Sequence, residues 1–291
     1  MRILVTGKNG QIGSCLVNQF NTMPDVTLLA LDSEQLDITN AINVNNVVAE
    51  FNPNIIINAA AYTAVDKAEL QSELAYAVNR DGPYNLAVAA NQINAVIIHI
   101  STDYVFAGDS VECYVETDNT NPHSEYGRSK LAGEQAVTDA CAQHIILRTA
   151  WVFGEHGNNF VNTMLRLAKT KDTLAVVADQ WGGPTYAGDI AKAIVTISKQ
   201  IVAGNQAYGI YHYSGFPHVS WHAFALKIFD IALDQNILKH SIHVNAVTTQ
   251  DYPTPAKRPA NSRLNCHKIE RIFGIQQSDW QAALTRIKDY L

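Results

Sequence analysis

Residues 1–13 read Met1-Arg2-Ile3-Leu4-Val5-Thr6-Gly7-Lys8-Asn9-Gly10-Gln11-Ile12-Gly13, and this stretch decides the fold. Its aliphatic residues predict a strand over Arg2–Thr6, and the apolar spacing that follows predicts a helix from about Gln11 to Phe20. The glycines between them are spaced G-x-x-G-x-x-G, which differs from the common G-x-G-x-x-G dinucleotide fingerprint. Glycines let a backbone approach a pyrophosphate, and a helix N-terminus presents free N–H groups, although a plain tight turn also explains the pattern. The residues expected to contact a cofactor here are Gly7, Gly10, Gln11, Ile12 and Gly13.

An acidic residue closes the second predicted strand. Asp32 follows Val26–Leu31, about 20 residues after the last glycine, where a carboxylate in such folds accepts hydrogen bonds from the adenosine ribose. A carboxylate there favours a free 2′-hydroxyl and disfavours a 2′-phosphate, while Lys8 could reduce that bias. We therefore expect NADH or NADPH as cofactor, with NADH at least as effective. The alternative is that Asp32 is a solvated turn residue.

The first half of the chain alternates short apolar strands with longer helical patterns. The other predicted strands are Asn54–Ile57, Ala95–Ile100 and His144–Leu147, and the other predicted helices are Ala41–Phe51, Ser72–Gln92 and Glu125–Cys141. Fully apolar strands that alternate with helices are typical of a parallel sheet covered on both faces. The sequence therefore predicts an α/β fold with a doubly wound, Rossmann-like parallel sheet.

The pattern loosens after Arg148. The predicted elements there are helices at Asn158–Lys169, Gly188–Gln200, Ser220–Leu233 and Asp279–Tyr290, and strands at Thr173–Val177 and Tyr208–Tyr213. Ser220 and Ser278 are expected to cap the two helices that follow them. We expect a dinucleotide-binding domain over 1–150, to which part of 151–205 returns. A smaller α/β substrate domain would be built mainly from 151–291.

Composition excludes several classes of protein. Of the 291 residues, 47% are hydrophobic and 16% charged, which argues against intrinsic disorder. The net charge of −6 argues against a nucleic-acid surface, and no apolar run approaches a membrane span. The four cysteines contain no C-x-x-C pair, and His218 and His222 lack the glutamate of a zinc-protease motif, so we expect no metal. The expectation is a cytoplasmic protein without nucleic-acid or membrane partners.

Two residues with acid–base chemistry lie one helical turn apart. In Tyr126-Gly127-Arg128-Ser129-Lys130, the phenol and the ammonium fall on one face of the predicted helix. A cation nearby lowers the pKa of a phenol towards neutrality, where it exchanges protons more readily. Thr102 follows the fourth strand, at the edge of the sheet where ligands bind, and can place a hydroxyl near Tyr126.

These motifs resemble the extended short-chain dehydrogenase/reductases that act on nucleotide sugars, and within them the dTDP-4-dehydrorhamnose reductases. The resemblance is carried by Gly7–Gly13, Asn58–Glu69, Ser101–Phe106, Tyr126–Glu134, Arg148–Gly154, Gly157–Phe160 and Arg258–Leu264. It covers nearly the whole chain. It implies NADH- or NADPH-dependent reduction of the C4 keto group of dTDP-4-dehydro-L-rhamnose to dTDP-L-rhamnose, in the synthesis of cell-surface polysaccharide.

The resemblance also implies a role for individual residues. Tyr126 would protonate the sugar C4 oxygen, Lys130 would bind the nicotinamide ribose and lower the Tyr126 pKa, and Thr102 would hydrogen-bond the reacting oxygen. Further cofactor contacts are expected from Asp37, Ile38, Ala60, Ala61 and Tyr62. Substrate contacts are expected from Thr102, Asp103, Tyr104, Trp151, Asn159 and Arg258, the last two at the diphosphate. A core role for Trp151 and a surface role for Arg258 are the alternatives.

The sequence departs from this family in one respect. Some bacterial members form dimers bridged by magnesium through glutamates, one of them early in the first helix. Here that stretch reads Gly13-Ser14-Cys15-Leu16, and Tyr186-Ala187-Gly188 also lacks the second glutamate. We therefore expect a monomer or a weak homodimer without metal.

Two rival functions remain open from the sequence. A related epimerase, dehydratase or epimerase-reductase would share most of these motifs. Dehydratases need an acidic pair after the threonine, and Asp103-Tyr104 supplies half of it. The other rival is a non-catalytic dinucleotide-binding subunit, such as the regulatory subunit of methionine adenosyltransferase. The intact set of Thr102, Tyr126 and Lys130 favours an enzyme.

Overall fold

A computed structural model describes residues 1–290 and contains one large parallel sheet. Its six strands are β1 (Arg2–Thr6), β2 (Thr27–Leu31), β3 (Ile55–Asn58), β4 (Val96–Thr102), β5 (His144–Thr149) and β10 (Gly209–His212). They are ordered β10-β5-β4-β3-β1-β2, and every neighbouring pair is parallel. The strand order reverses beside β1, so the carboxyl ends of β1 and β3 form a crevice. The predicted doubly wound α/β sheet is confirmed.

Helices cover both faces of this sheet. One face carries α1 (Gln11–Asn21), α8 (Ala187–Val202) and α10 (His267–Phe273). The other carries α2 (Ala41–Phe51), α5 (Gly82–Gln92) and α6 (Glu125–Ala140). Within β3, Ile55 and Ile57 pack under the first set and Ile56 under the second. Side chains alternate along a strand, so a strand buried on both faces needs an unbroken apolar run.

The predicted helix over Ser72–Gln92 is not continuous. It consists of α4 (Ser72–Tyr76), a π-helical segment (Ala77–Asp81) and α5, whose first turn contains Pro83; α3 (Val65–Ala68) precedes them. The π segment packs so closely on α6 that a Cβ at Gly133 would lie 2.0 Å from the Asn79 carbonyl oxygen. Widened turns of this kind are frequent at functional sites, and here the turn brings the Asn79 side chain inward.

A second hydrophobic core lies in the chain after residue 150. Around it are α7 (Phe160–Ala168), α9 (Trp221–Asp234) and α11 (Trp280–Leu284), with Phe153, Phe224 and Trp280 at the centre. The strands there are β6 (Val152–Phe153), β7 (Thr173–Val177), β8 (Trp181–Gly182), β9 (Thr185–Tyr186), β11 (Val219–Ser220), β12 (His243–Val247) and β13 (Asn261–Ser262). They form three small sheets, β6-β9, β7-β12 and β11-β8-β13. The division into domains near residue 150 stays a prediction.

The last predicted helix and its cap differ from the structure. Ser220 caps α9 as expected, by accepting a hydrogen bond from the Ala223 N–H. The last helix, α11, ends at Leu284, and its cap is Asp279 rather than Ser278. Ser278 instead binds the Tyr186 N–H and donates to Asp189. In residues 1–290, none of the helices has the length and apolar character needed to cross a bilayer.

Candidate active site

A cavity of about 580 Å³ opens at the carboxyl ends of the central strands. The predicted residues that line it are Gly10, Gln11, Ile12, Ala60, Ala61, Thr102, Asp103, Tyr104, Tyr126, Lys130 and Trp151. The cavity thus brings the glycine turn, the predicted acid–base pair and several predicted substrate residues to one place. Its size is in the usual range for a small-molecule site.

The glycine turn packs against the loop after β3 with no room for side chains. Gly7 has a φ of +73°, and a Cβ there would lie 2.6 Å from the Ala60 nitrogen. A Cβ at Gly13 would lie 2.0 Å from the Gly7 carbonyl oxygen. Gly10 precedes α1 and has no side chain to cap the N–H groups of the first turn. These close approaches and uncapped N–H groups fit a dinucleotide pyrophosphate.

Asp32 interacts with two side chains of the glycine turn. Its Oδ2 lies 3.3 Å from Lys8 Nζ and accepts a hydrogen bond from Asn9 at 3.2 Å. Desolvation raises the Asp32 pKa, but hydrogen bonds from the Gln35 N–H and from Lys8 outweigh it, so the pKa lies below its ordinary value. Asp32 is therefore a carboxylate partly neutralised by Lys8.

Six predicted cofactor residues lie outside the set that lines the cavity in the described chain: Gly7, Gly13 and Asp32, described above, and Asp37, Ile38 and Tyr62. Asp37 accepts hydrogen bonds from the N–H and hydroxyl of Thr39, and Ile38 is buried in the core. Tyr62 is fixed by Asn79, which accepts its N–H at 2.8 Å and donates to its carbonyl at 3.0 Å. Asn79 also donates to Ser129 on α6, so it joins the loop after β3 to the helix of Tyr126.

Tyr126 lies in the first turn of α6. Ser124 caps the helix by accepting the Gly127 N–H at 3.1 Å. The Tyr126 side chain is nearly buried, and burial raises the pKa of its phenol well above the ordinary value, against a smaller lowering by the hydrogen bond with Thr102. The Thr102 hydroxyl itself donates to Asp103 at 3.1 Å and accepts the Tyr104 N–H at 3.2 Å. At rest, then, the phenol is protonated, as a proton donor must be.

Lys130 reaches the cavity one turn further along α6. Its Nζ donates to the Ile100 carbonyl at 2.7 Å and lies 3.5 Å from His99 Nε2. Burial lowers the Lys130 pKa to about 8, although the Glu134 charge opposes this shift. The lowering of the Tyr126 pKa expected from Lys130 is not produced by these side chains, because burial of the phenol dominates and the amine faces Ile100 and His99.

Asp103 lines the cavity and carries a buried carboxylate oxygen without a partner in the described chain. The residue is buried, and its Oδ2 has no hydrogen-bond partner within residues 1–290. Burial raises the pKa of this carboxyl to about 6, although hydrogen bonds with Ser262 and Thr102 oppose the shift. A buried acceptor without a partner is costly, and in native proteins such a group is the exception that needs a functional or structural reason.

Two stacked indoles form one wall of the cavity. Trp151 has a φ of +50°, which is uncommon for a bulky residue. Its ring stacks on Trp221, with centroids 3.6 Å apart and planes at 11°. The ring also packs closely on Gly182, where a Cβ atom would lie only 2.5 Å from it. Trp151 is therefore held between Gly182 and Trp221, and strained backbone of this kind often occurs at ligand sites.

The two residues predicted at the diphosphate lie beside the cavity. Arg258 donates to Asp66 at 2.8 Å and to the Tyr104 hydroxyl at 3.3 Å. Asn159 caps α7, and it also donates to the Gln11 side chain at 3.1 Å. Each therefore contacts a residue at or next to the rim, and neither is itself in the set that lines the cavity in the described chain.

Sequence reasoning missed several residues of this site. They are Asn58, Asn79, His99 and Trp221. Asn58 and His99 are polar residues in otherwise apolar strands, which is a signal that the sequence did offer. Asn79 and Trp221 lie in helical stretches, where nothing in the local pattern distinguishes them.

Comparison with known proteins places the chain in a family. A family model described as the RmlD substrate binding domain matches residues 1–291. The dTDP-4-dehydrorhamnose reductase of Aggregatibacter actinomycetemcomitans is 53% identical and covers 99% of both chains. The crystal structure of a dTDP-4-dehydrorhamnose reductase from Clostridium acetobutylicum is 42% identical, with a TM-score of 0.92 over 99% of both chains.

A second solved relative carries a cofactor. The dTDP-4-dehydrorhamnose reductase of Bacillus anthracis, in complex with NADP, is 42% identical with a TM-score of 0.89, over 98% of this chain and 97% of that one. Identity at this level over whole chains, together with the matching family model, shows the family of the chain. The chain belongs to the dTDP-4-dehydrorhamnose reductase family.

Proposed function

We propose that this protein reduces the C4 keto group of dTDP-4-dehydro-L-rhamnose with NADPH or NADH and so forms dTDP-L-rhamnose. The observation that carries the proposal is the convergence of Thr102, Tyr126 and Lys130 with the glycine turn around one cavity. The reductases that resemble the chain over its full length support the same reaction, as does the NADP-bound relative.

The residues of the cavity account for the proton transfer. The glycine turn would hold the dinucleotide, which when bound would supply the hydride for C4. Tyr126 donates its phenolic proton to the C4 oxygen, so the O–H bond of the phenol breaks as the sugar hydroxyl forms. Thr102 positions that oxygen by a hydrogen bond. The Lys130 ammonium would hold the nicotinamide ribose of the bound cofactor and, in that complex, would stabilise the negative charge that Tyr126 acquires.

The remaining wall orients the sugar. Asp103 lines the cavity, and turning its side chain would bring the unpaired Oδ2 to a sugar hydroxyl and satisfy this buried acceptor. Trp151 and Trp221, stacked on each other, supply an apolar wall of the cavity beside the sugar ring. Holding C4 within reach of both hydride and phenol is worth a large part of the rate enhancement.

The rival functions receive less support. A dehydratase needs a second acid after Asp103, and the residue there is Tyr104, whose hydroxyl contacts Arg258. A purely regulatory role gives no reason for Thr102, Tyr126 and Lys130 to meet at one cavity.

A coupled assay tests the proposed function. dTDP-glucose is converted by the upstream dehydratase and epimerase, this protein is added last, and the absorbance of NADPH or NADH is followed. Cofactor consumption that needs both the keto sugar and this protein supports the proposal. A reaction that stops at the keto sugar would show that the protein acts on something else.

We infer a monomer or a weak homodimer. The stretch Gly13–Leu16, where metal-bridged members of the family carry a glutamate, contains no carboxylate, and its Cys15 is buried. Burial raises the pKa of this thiol to about 11, with the Glu155 charge adding to the shift. A neutral buried thiol is a poor ligand for magnesium, which prefers oxygen.

Cofactor choice should respond to Asp32 and Lys8 in opposite directions. Asp32→Ala removes the carboxylate that repels a 2′-phosphate, so kcat/KM for NADPH relative to NADH should rise, on the order of tenfold. Lys8→Ala should lower the same ratio, because loss of the 3.3 Å Lys8–Asp32 pair leaves the Asp32 carboxylate unopposed. Steady-state kinetics with both cofactors measure the ratio, and the two variants serve as each other's control. A shift in the same direction for both would exclude this pair as the selector.

Arg258 should affect the nucleotide sugar and not the dinucleotide. Arg258→Ala removes a charge-assisted contact to the diphosphate, so the KM of the nucleotide sugar should rise about 5- to 150-fold while that of NADH stays nearly unchanged. Asp66→Asn is the matched control, because it weakens the 2.8 Å pair but keeps the guanidinium. Equal increases in both KM values for Arg258→Ala would indicate a folding role instead.

A further inference from the structure

A row of buried polar side chains runs beneath the cavity from β1 to Lys130. Thr6 on β1 donates to Asn58 Oδ1 at 2.8 Å. Asn58 Nδ2 lies 3.1 Å from His99 Nδ1, and His99 Nε2 lies 3.5 Å from Lys130 Nζ. All four residues are buried. The mechanism above uses Lys130 alone, so the other three need an explanation of their own.

The direction of the hydrogen bonds in this row is fixed by the backbone. The Ala60 N–H, which can only donate, points at Asn58 Oδ1 at 3.1 Å. The other amide atom, Nδ2, must therefore be the one that faces His99, and it donates to Nδ1. Burial keeps the His99 pKa well below its ordinary value, with the Lys130 charge adding to the effect, so the ring is neutral. A neutral ring that accepts at Nδ1 carries its proton on Nε2.

The Nε2–H of His99 then faces the side-chain nitrogen of Lys130. An ammonium has three donors and no lone pair, so it gains nothing from another donor and is repelled by it. A neutral amine has a lone pair that can accept from Nε2–H while it still donates to the Ile100 carbonyl. We propose that His99 is a positioning residue that favours the neutral form of Lys130 and so sets the pH above which the enzyme loses activity.

The other charged groups around Lys130 do not remove this effect. Glu134, one turn further along α6, is bound by Arg148 of β5 in a two-point ion pair, with distances of 2.9 and 2.7 Å. Its charge favours the ammonium, but the pairing reduces its influence, and burial lowers the Lys130 pKa to about 8. Among the described residues, the other titratable side chains that line the same cavity as Lys130 are Tyr126 of the same helix and Asp103 and Tyr104 after β4.

The inference rests on the proposed function, in which the ammonium of Lys130 stabilises the charge on Tyr126. If the ammonium is the active form, kcat falls as the pH rises through the Lys130 pKa. Because His99 favours the neutral amine, it makes kcat fall at a lower pH. Replacing its Nε2–H by a hydrogen-bond acceptor should therefore make kcat fall at a higher pH.

The first test compares pH profiles. In His99→Gln the side-chain amide reaches the position of Nε2 and can present its oxygen to the ammonium. The alkaline limb of kcat should therefore shift upward by about one pH unit. The control is His212→Gln, the same change at an equally buried histidine on β10, the edge strand of the large sheet. His212→Gln should leave the alkaline limb of kcat at its wild-type pH. If the alkaline limb of His99→Gln also stays at the wild-type pH, the proposal is overturned.

The second test needs no turnover. Proton–nitrogen NMR of the wild-type protein, with His99 assigned through its own backbone resonances, reports which ring nitrogen carries the proton. An Nε2–H tautomer is expected, and an Nδ1–H tautomer would overturn the inference even if His99→Gln fails to fold. The Lys130 13Cε shift, titrated in wild type and in His99→Gln, gives the lysine pKa directly. If the coupled assay is inactive while these NMR results hold, the proposed substrate fails and the role of His99 stands.

Discussion

Tyr126→Phe should lower kcat by about 10²–10⁴-fold while the protein still binds the dinucleotide. The substitution removes the phenolic proton and keeps the ring, which packs edge-to-face on Tyr104 with centroids 5.5 Å apart. The glycine turn that would hold the pyrophosphate is unchanged in this variant, so cofactor affinity, measured by nicotinamide fluorescence titration, should change little. The loss should appear in kcat and in kcat/KM alike, because the proton is transferred only in the transition state.

Tyr208→Phe is the matched control for this prediction. Its hydroxyl donates to Gln143 at 3.2 Å, away from the residues that line the cavity. The same chemical change at this position should leave turnover within a factor of about two of the wild type, as is usual for surface substitutions. Turnover close to wild type in Tyr126→Phe would remove Tyr126 from the proton-donor role. A fall in melting temperature that leaves Tyr126→Phe mostly unfolded at the assay temperature would instead indicate a folding effect.

The sheet and the glycine turn could be predicted because their signals are local. Each central strand is an unbroken apolar run, since β3 and its neighbours are buried on both faces. The turn after β1 needs glycines, because a Cβ at Gly7 would clash with the backbone at Ala60 and a Cβ at Gly13 would clash with the backbone of Gly7. The same holds for Tyr126 and Lys130, whose spacing of one helical turn is visible in the sequence and places both at the cavity.

The missed features depend on residues that are far apart in sequence. The π-helical turn places Asn79 between Tyr62 and Ser129, and no propensity within the segment indicates that contact. Arg258 finds Asp66 across a sequence separation of 192 residues. The pKa of Tyr126 was expected to be lowered, and burial raises it instead, because spacing along a helix says nothing of solvent exclusion.

Glu134→Ala should lower the free energy of unfolding by about 3–5 kcal/mol, the usual cost of breaking a buried ion pair by removing one partner. Both side chains of the Glu134–Arg148 pair are only 3% exposed. Arg148 would keep its charge against the Phe106 ring, 5.0 Å from the centroid, with no carboxylate beside it. Ser101, which donates to Glu134 at 2.5 Å, would also lose its acceptor at the end of β4. Urea denaturation measures the change.

Glu125→Gln is the control on the same helix, because Glu125 pairs with Arg128 at the surface, where side chains are 26% and 45% exposed. This variant should cost less than about 1 kcal/mol. If Glu134→Ala lowers the free energy of unfolding by no more than Glu125→Gln does, the buried pair does not hold β4, β5 and α6 together.

The folded fraction of Glu134→Ala also tests the proposed active site. The Glu134 charge raises the Lys130 pKa, which is about 8 in the intact protein. Without that charge the ammonium loses its proton at lower pH, so the alkaline limb of kcat should move down, opposite to the shift expected for His99→Gln.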